Sequence, residues 1–271
     1  MDAETLDTTG RARTSAGSRS LPRIYALETK YELFKQLRLP AYSLPTIAFP
    51  ALFYTLFTVT YGGHRVGGIR AAAYMLATYG VFGVIGAALF GFGVGVAIER
   101  GQGWLLLKRA SPMPAGAYFA AKCAMSLAFG AIIVALLSLL AATLGGLRLP
   151  AGEWLGLAAV QIAGALPFCA LGLAFGTWCG PSSAPAVVNL VYLPMSLASG
   201  LWMPLPILPA FLRHLAPWMP PYHLAQLALK VVGGDAGQPV WLHVGALAVV
   251  TTVSLALARA GLRRDSDPTY G

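Results

Sequence analysis

From residue 41 onward, long apolar stretches alternate with short polar breaks, and six of the stretches are long enough to cross a lipid bilayer. They run over about Ala41–Tyr61, Ala71–Ile98, Ala117–Gly145, Trp154–Trp178, Ala184–Met203 and Val240–Leu262. A helix rising 1.5 Å per residue needs roughly 20 apolar residues to cover about 30 Å of hydrocarbon. The runs are continuously apolar, and their Gly and Pro breaks are too few for a barrel, so each is expected to be a helix. The predicted fold class is an all-α integral membrane protein with six transmembrane helices between about residues 40 and 262.

The breaks between the runs carry their own signals. Between residues 21 and 39, Ile24, Leu27, Tyr31 and Phe34 recur at helical spacing, with Arg23, Glu28, Lys30, Glu32 and Lys35 elsewhere on the wheel. That pattern predicts an amphipathic helix lying in the membrane interface. Residues 1–20 are polar and rich in Ser, Thr, Gly and Arg, which predicts a disordered tail without the apolar core of a cleavable signal. Residues 263–271 form a short polar tail at the other end.

After the second run, Glu99-Arg100-Gly101-Gln102-Gly103 leads into Trp104-Leu105-Leu106-Leu107, and Pro112 and Pro114 close the segment. The glycines let the chain leave the membrane sharply, the apolar tetrad is too brief to cross, and the prolines terminate it. Exposed Trp and Leu on such a knob need a surface to bury them, either a partner protein or lipid headgroups. Following the fifth run, Ser199 to His223 stays apolar yet holds Pro204, Pro206, Pro209, Pro217, Pro220 and Pro221. Prolines at that density cannot continue a spanning helix, so the chain is expected to dip back into the outer leaflet as a re-entrant hairpin.

Composition supports the bilayer as solvent: 57% of residues are hydrophobic and 11% charged, against roughly a quarter charged in soluble domains. The net charge of +9 is distributed unevenly. Arg11, Arg13, Arg19, Arg23, Lys30, Lys35, Arg38, Arg100, Lys108, Arg109, Lys122, Arg259, Arg263 and Arg264 fall on one side of the predicted topology, against Arg65, Arg70, Arg148, Arg213 and Lys230 on the other. Basic flanks are retained in the cytoplasm, so both termini are expected inside, and the charge calls for anionic lipid rather than nucleic acid. Trp154, Trp202 and Trp241 fall at expected outer ends and Trp178 at an inner end.

Candidate chemistry is sparse. No Asp, Glu, Lys or Arg lies near the middle of a predicted span, and Lys122 near an inner end is expected to snorkel. A proton- or ion-coupled mechanism usually needs such a buried ionisable group. The chain also lacks a phosphate-cradling Gly-rich loop ending in Lys and Ser or Thr, and Gly91-Phe92-Gly93-Val94-Gly95 lies inside a span with no strand before it. Gly83, Gly86, Gly91 and Gly95 read instead as surfaces for close helix packing. Cys123, Cys169 and Cys179 read as packing residues, and His64, His214, His223 and His243 lack metal-ligand spacing, so no metal is expected. Asn189, Tyr192, Ser196 and Ser199 share one face of the fifth run, where they serve either a cargo or an interhelical hydrogen bond. Glu99, at the membrane edge among basic neighbours, either pairs with Lys35 or Arg38 or stays solvated.

The Glu99–Pro114 element and the Ser199–His223 hairpin together resemble the ABC-2 type permeases, the membrane subunits of ATP-driven exporters, and the resemblance extends from about Leu21 to Leu262. It implies a permease subunit in a bacterial inner membrane that dimerises, as a homodimer or heterodimer, and binds an ABC ATPase subunit. ATP would be bound by that partner, so this chain needs no cofactor and is not itself an enzyme. The resemblance places coupling to the ATPase at Glu99, Gly103, Trp104, Leu105, Leu106, Leu107, Arg109 and Pro112, and interfacial-helix contacts at Glu28, Lys35 and Arg38. The second and fifth spans of such permeases line the substrate path, which makes Tyr79, Phe82, Asn189, Tyr192 and Ser196 candidates for contact with a hydrophobic or amphipathic cargo such as a drug, antibiotic, lipid or lipid-linked glycan. Gly200, Pro204, Pro209, Pro220 and His223 would shape the outer hairpin. The alternative is a non-transporting membrane scaffold or immunity protein with the same helices.

Overall fold

The computed structural model describes residues 21–104, 107 and 114–264. Helix α1 (Leu21–Leu37) and helix α2 (Pro40–Tyr61) are followed by a two-residue antiparallel ribbon, β1 (Arg65–Val66) and β2 (Ile69–Arg70), turned through Gly67 and Gly68 at positive φ. Next come α3 (Ala71–Gly101), α4 (Ala115–Thr143), α5 (Ala151–Ala163) and α6 (Leu166–Trp178). Then follow α7 (Ala184–Ala198), α8 (Ala210–Leu215), α9 (Pro220–Val231) and α10 (Val240–Arg264).

Five helical runs among the described residues are long and apolar enough to cross a membrane: Pro40–Tyr61, Ala71–Gly101, Gly116–Thr143, Ala151–Trp178 and Val240–Arg264. The expected multi-pass α-helical architecture is therefore present, but the fifth predicted span is shorter than expected. Helix α7 stops at Ala198 after 15 residues, about 22 Å of rise, against the roughly 30 Å of a hydrocarbon core. Gly200 ends it at φ 77°, with the Gly200 N–H donating to Leu197 O at 3.0 Å and the Leu201 N–H to Ser196 O at 3.1 Å. This is a Schellman-type closure, which needs the left-handed residue that Gly supplies.

Helix α3 is the axis of the bundle. Every residue from Ala71 to Gly86 is buried, and α2, α4, α5, α6 and α9 pack around it. The outer helices do the reverse: α2 exposes Leu44, Leu52, Leu56 and Val59, and α10 exposes Val244, Val249 and Val253. Such faces are stable where lipid replaces water, because acyl chains cost apolar side chains nothing to meet. Residues Ala87–Val94 of α3 are π-helical, and this segment touches α6 backbone to backbone. A Cβ added to Gly176 would stand 2.7 Å from Gly93 O, so no larger residue fits.

The prolines act locally. Pro167, in the first turn of α6, sits just past the break at Gly164 and Ala165 that divides the fourth run into α5 and α6. Pro209 precedes α8 and Pro220 begins α9, and these two short helices form a helical hairpin between α7 and α10. Its second arm, α9, buries Tyr222, His223, Leu224, Ala225, Ala228 and Leu229 against the bundle.

Helix α1 departs from the expected orientation. Tyr31 and Phe34, assigned to the membrane-facing stripe, are indeed exposed, but the face packed on the bundle is polar, with Glu32 and Gln36 buried. The physical reason lies in α4, which presents Lys122 to Glu32, and in α3, which presents Glu99 to Lys35.

Candidate functional site

At the end of the bundle that holds α1, the basic end, three helices bring ionisable side chains together. Glu99 lies on the last turns of α3, Tyr118 and Lys122 one helical turn apart on α4, and Glu32, Lys35 and Gln36 on α1. Lys122 Nζ donates to Glu32 Oε1 at 2.5 Å and to Glu99 Oε1 at 2.8 Å, and Tyr118 Oη donates to Glu99 Oε2 at 2.5 Å. Lys35 closes the ring with a hydrogen-bonded ion pair to Glu99 and a longer contact of 3.8 Å to Glu32. Two carboxylates thus balance two ammonium groups, which lets charge persist where isolated ions would be driven to neutrality.

Lys122 is fully buried, which corrects the expectation that it snorkels. The stem has no need to reach water when two acids stand within hydrogen-bond range. Lys35 lies outside the spans and keeps about half its side chain exposed. Burial works against its charge, but the hydrogen bond and negative charge of Glu99, with Glu32 and Glu28 behind it, outweigh burial and hold the ammonium above the ordinary lysine range. Of the two partners considered for Glu99, the structure joins it to Lys35, while Arg38 remains exposed.

Beyond Glu99 the chain leaves the bundle. Arg100 turns back, donating to Thr177 O at 2.7 Å and Cys179 O at 2.8 Å, and so satisfies carbonyls at the end of α6. Gly103 takes φ 76°. Trp104 and Leu107 are helical and exposed, as the knob reading requires. Leu105, Leu106, Arg109 and Pro112 of the predicted coupling element lie outside the described residues.

Alongside α3 runs a groove of about 630 Å³ walled by α2, α3 and α7, with the end of α1 at its basic rim. Phe82, Asn189 and Tyr192 line it, together with Tyr42, Phe53, Phe90 and Trp202, which the sequence did not mark. Tyr192 Oη donates to Phe82 O at 2.6 Å and its ring stacks on Phe82 at 5.0 Å. Asn189 is exposed into the groove, with no hydrogen-bond partner among the described residues.

Two of the groove candidates fall elsewhere. Tyr79 is buried behind the wall, donating to Trp202 O at 2.9 Å, because its ring packs into the stack formed by Phe53 and Phe57. Ser196 is wholly buried and its hydroxyl has no partner among the described residues, because the face it shares with Tyr192 turns into the bundle past the groove.

At the opposite, hairpin end, Gly200, Pro204, Pro209 and Pro220 sit at helix ends and turns as expected. His223 does not behave as an interfacial tip: its Nδ1 meets His243 Nδ1 at 3.0 Å and its Nε2 meets Pro217 O at 3.0 Å, both rings being buried. A carbonyl only accepts, so His223 Nε2 carries hydrogen and its Nδ1 accepts from His243. No group of three or more His, Cys, Asp or Glu suited to a metal occurs among the described residues.

Some of the missed residues left a trace in the sequence. Glu32 and Gln36 follow Glu28, itself a predicted contact, at intervals of four and mark a second stripe on α1. The aromatic wall left none, since its rings come from α2, α3, α7 and the turn after it.

YvfS of Bacillus subtilis (strain 168), named as a transport permease, is 27% identical over 213 residues, covering 79% of this chain and 86% of YvfS. The family profile described as ABC-2 type transporter matches residues 25–232, a stretch that includes most of α1, the ion network, the groove and the hairpin. The chain therefore belongs to the ABC-2 type transporter family, as a multi-pass membrane permease subunit of an ABC transporter whose partner is an ABC ATPase.

Proposed function

We propose that this subunit exports a hydrophobic or amphipathic cargo from a bacterial inner membrane, working as a dimer with ATPase subunits docked at the basic end. The observation that carries the reading is that α3 lines the groove and also leads to the exposed knob. The same helix that walls the groove through Phe82 and Phe90 ends in Glu99 and leads into the exposed Trp104. A push on Trp104 and Leu107 from a nucleotide-driven partner would reach the groove along one continuous helix. The basic end faces the cytoplasm in this reading, with both termini there, and the α8–α9 hairpin re-enters the outer leaflet. Groove and knob on one helix favour a transporting subunit over a scaffold, which would need neither.

The test is reconstitution of the chain with its ABC ATPase in sealed vesicles. ATP hydrolysis should require the permease, rise with added hydrophobic solute, and lose that stimulation in Trp104→Ala. Hydrolysis indifferent to the permease, or solute movement driven by an ion gradient without ATP, would refute the proposal.

A further inference from the structure

Resting on the reading of the groove as the cargo path, we infer that its preferred cargo is a flat, ring-bearing, uncharged solute whose polar substituent reaches Asn189. The wall presents aromatic rings in two orientations. Phe82 and Tyr192 lie nearly parallel, 14° apart with centroids at 5.0 Å, whereas Trp202 stands at 87° to Phe82 with centroids at 5.9 Å. Phe53 extends the wall from α2, stacked on Trp202 at 6.0 Å, and Phe90 extends it toward the basic end, edge-on to Tyr192 at 6.0 Å. These are the distances at which aromatic rings attract one another beyond simple area burial. Phe82 and Tyr192 are each 4% exposed and brace one another, so a planar ring system entering the groove meets chiefly the partly exposed Phe53, Phe90 and Trp202. An acyl chain meets only apolar area, which the surrounding lipid supplies equally well, so the wall gives it no preference over the bilayer.

The charge of the cargo follows from the rest of the lining. Among the described residues no Asp, Glu, Lys or Arg contributes to the groove, so an ion inside would have no charged side chain to pair with. Asn189 is an amide held open to the groove from α7 without a partner among the described residues. It can accept from a hydroxyl or donate to a carbonyl. The volume, about 630 Å³, suits a solute of drug size.

Binding of 1-pyrenemethanol, four fused rings with one hydroxyl, to the permease in lipid nanodiscs tests this, with hexadecanol as an aliphatic competitor bearing the same hydroxyl. The expected result is saturable pyrenemethanol binding that hexadecanol displaces at least about tenfold more weakly than unlabelled pyrenemethanol does. Phe82→Leu and, on the other wall, Phe53→Leu should each weaken binding by about two- to twelvefold, and should be compared only where melting matches the wild type. Asn189→Leu should weaken pyrenemethanol and leave 1-methylpyrene unaffected. Equal displacement by hexadecanol, or unchanged affinity in both Leu variants, overturns the aromatic preference while leaving the groove a solute site. Absence of saturable binding by either alcohol overturns the groove reading as well.

Discussion

Lys122→Met tests whether the buried ion network holds α1 to the bundle. The side chain is 0% exposed and bridges Glu32 at 2.5 Å and Glu99 at 2.8 Å. Met preserves most of its length and apolar volume, so the change removes charge with little cavity. Two acids that are 6% and 8% exposed are then left to the partly solvated Lys35. Breaking a buried pair by deleting one partner costs about 3–5 kcal/mol, because an uncompensated charge remains, whereas an exposed pair is worth about 0–1 kcal/mol. The burial of Lys122 places it in the first class. Adding Glu32→Gln restores the balance, leaving Glu99 with Lys35, so the double variant should be more stable than Lys122→Met alone, with a coupling of about 1–3 kcal/mol. Reversible unfolding in mixed detergent micelles, followed by tryptophan fluorescence, gives both numbers. A loss below about 1 kcal/mol for Lys122→Met, or simple additivity in the double variant, would show that water reaches Lys122 and that the network does not lock α1.

Two further outcomes follow from other parts of the fold. Burial lowers the pKa of His223, against the raising effect of its bond to Pro217, while His243, Tyr222 and the Lys230–Asp235 pair at 2.7 Å surround it. A base with a depressed folded pKa contributes stability that is full above its unfolded value, about 6.5, and is lost as pH falls below that value. The unfolding midpoint should therefore decline below about pH 6.5 and do so less in His223→Gln; equal acid sensitivity in both proteins would dismiss the histidine pair as the cause. Gly176→Val places side-chain atoms against Gly93 O and Val96, which already stand 2.7 and 2.9 Å from a Cβ there. It should destabilise the bundle by at least about 1–3 kcal/mol or prevent its assembly, measured by the same unfolding assay, and a neutral effect would mean that α3 and α6 are not in backbone contact.

The transmembrane helices were legible because a bilayer imposes one requirement, about 20 apolar residues without an ionisable centre, and five runs meet it without context. Glu99 and Lys35 were legible for a related reason, since an acid at a membrane edge needs a partner and few were within reach. The inward face of α1 was not, although both of its stripes are visible on the wheel. Which stripe turns inward depends on Lys122 and Glu99, 90 and 67 residues beyond Glu32 in sequence, and a helix wheel contains no such information. The same limit hid the meeting of His223 with His243 and the arrival of Trp202 beside Phe53. The early end of α7 was partly legible in Gly200, whose apolar neighbours masked it, because hydropathy cannot distinguish a helix from the turn that ends it.

The position of α3 constrains how any movement could pass through this protein. Its half toward the hairpin end, Ala71–Gly86, is buried on all sides and held by Gln161, whose amide donates to Leu76 O and Ala77 O at 3.2 and 3.0 Å. Its basic end is held by Lys35, Tyr118 and Lys122 through the single carboxylate of Glu99. Between these anchors lies the π-helical stretch Ala87–Val94, where the hydrogen-bond register is already displaced and a shift of one residue rearranges bonds rather than breaking them all. Phe90 and Val94, within that stretch, line the groove. Were the proposed push applied beyond Gly101, it would have to pass through this stretch to reach the residues that shape the cavity. The ion network joins α1, α3 and α4 at one point, so the basic end of α3 is tied to both neighbours.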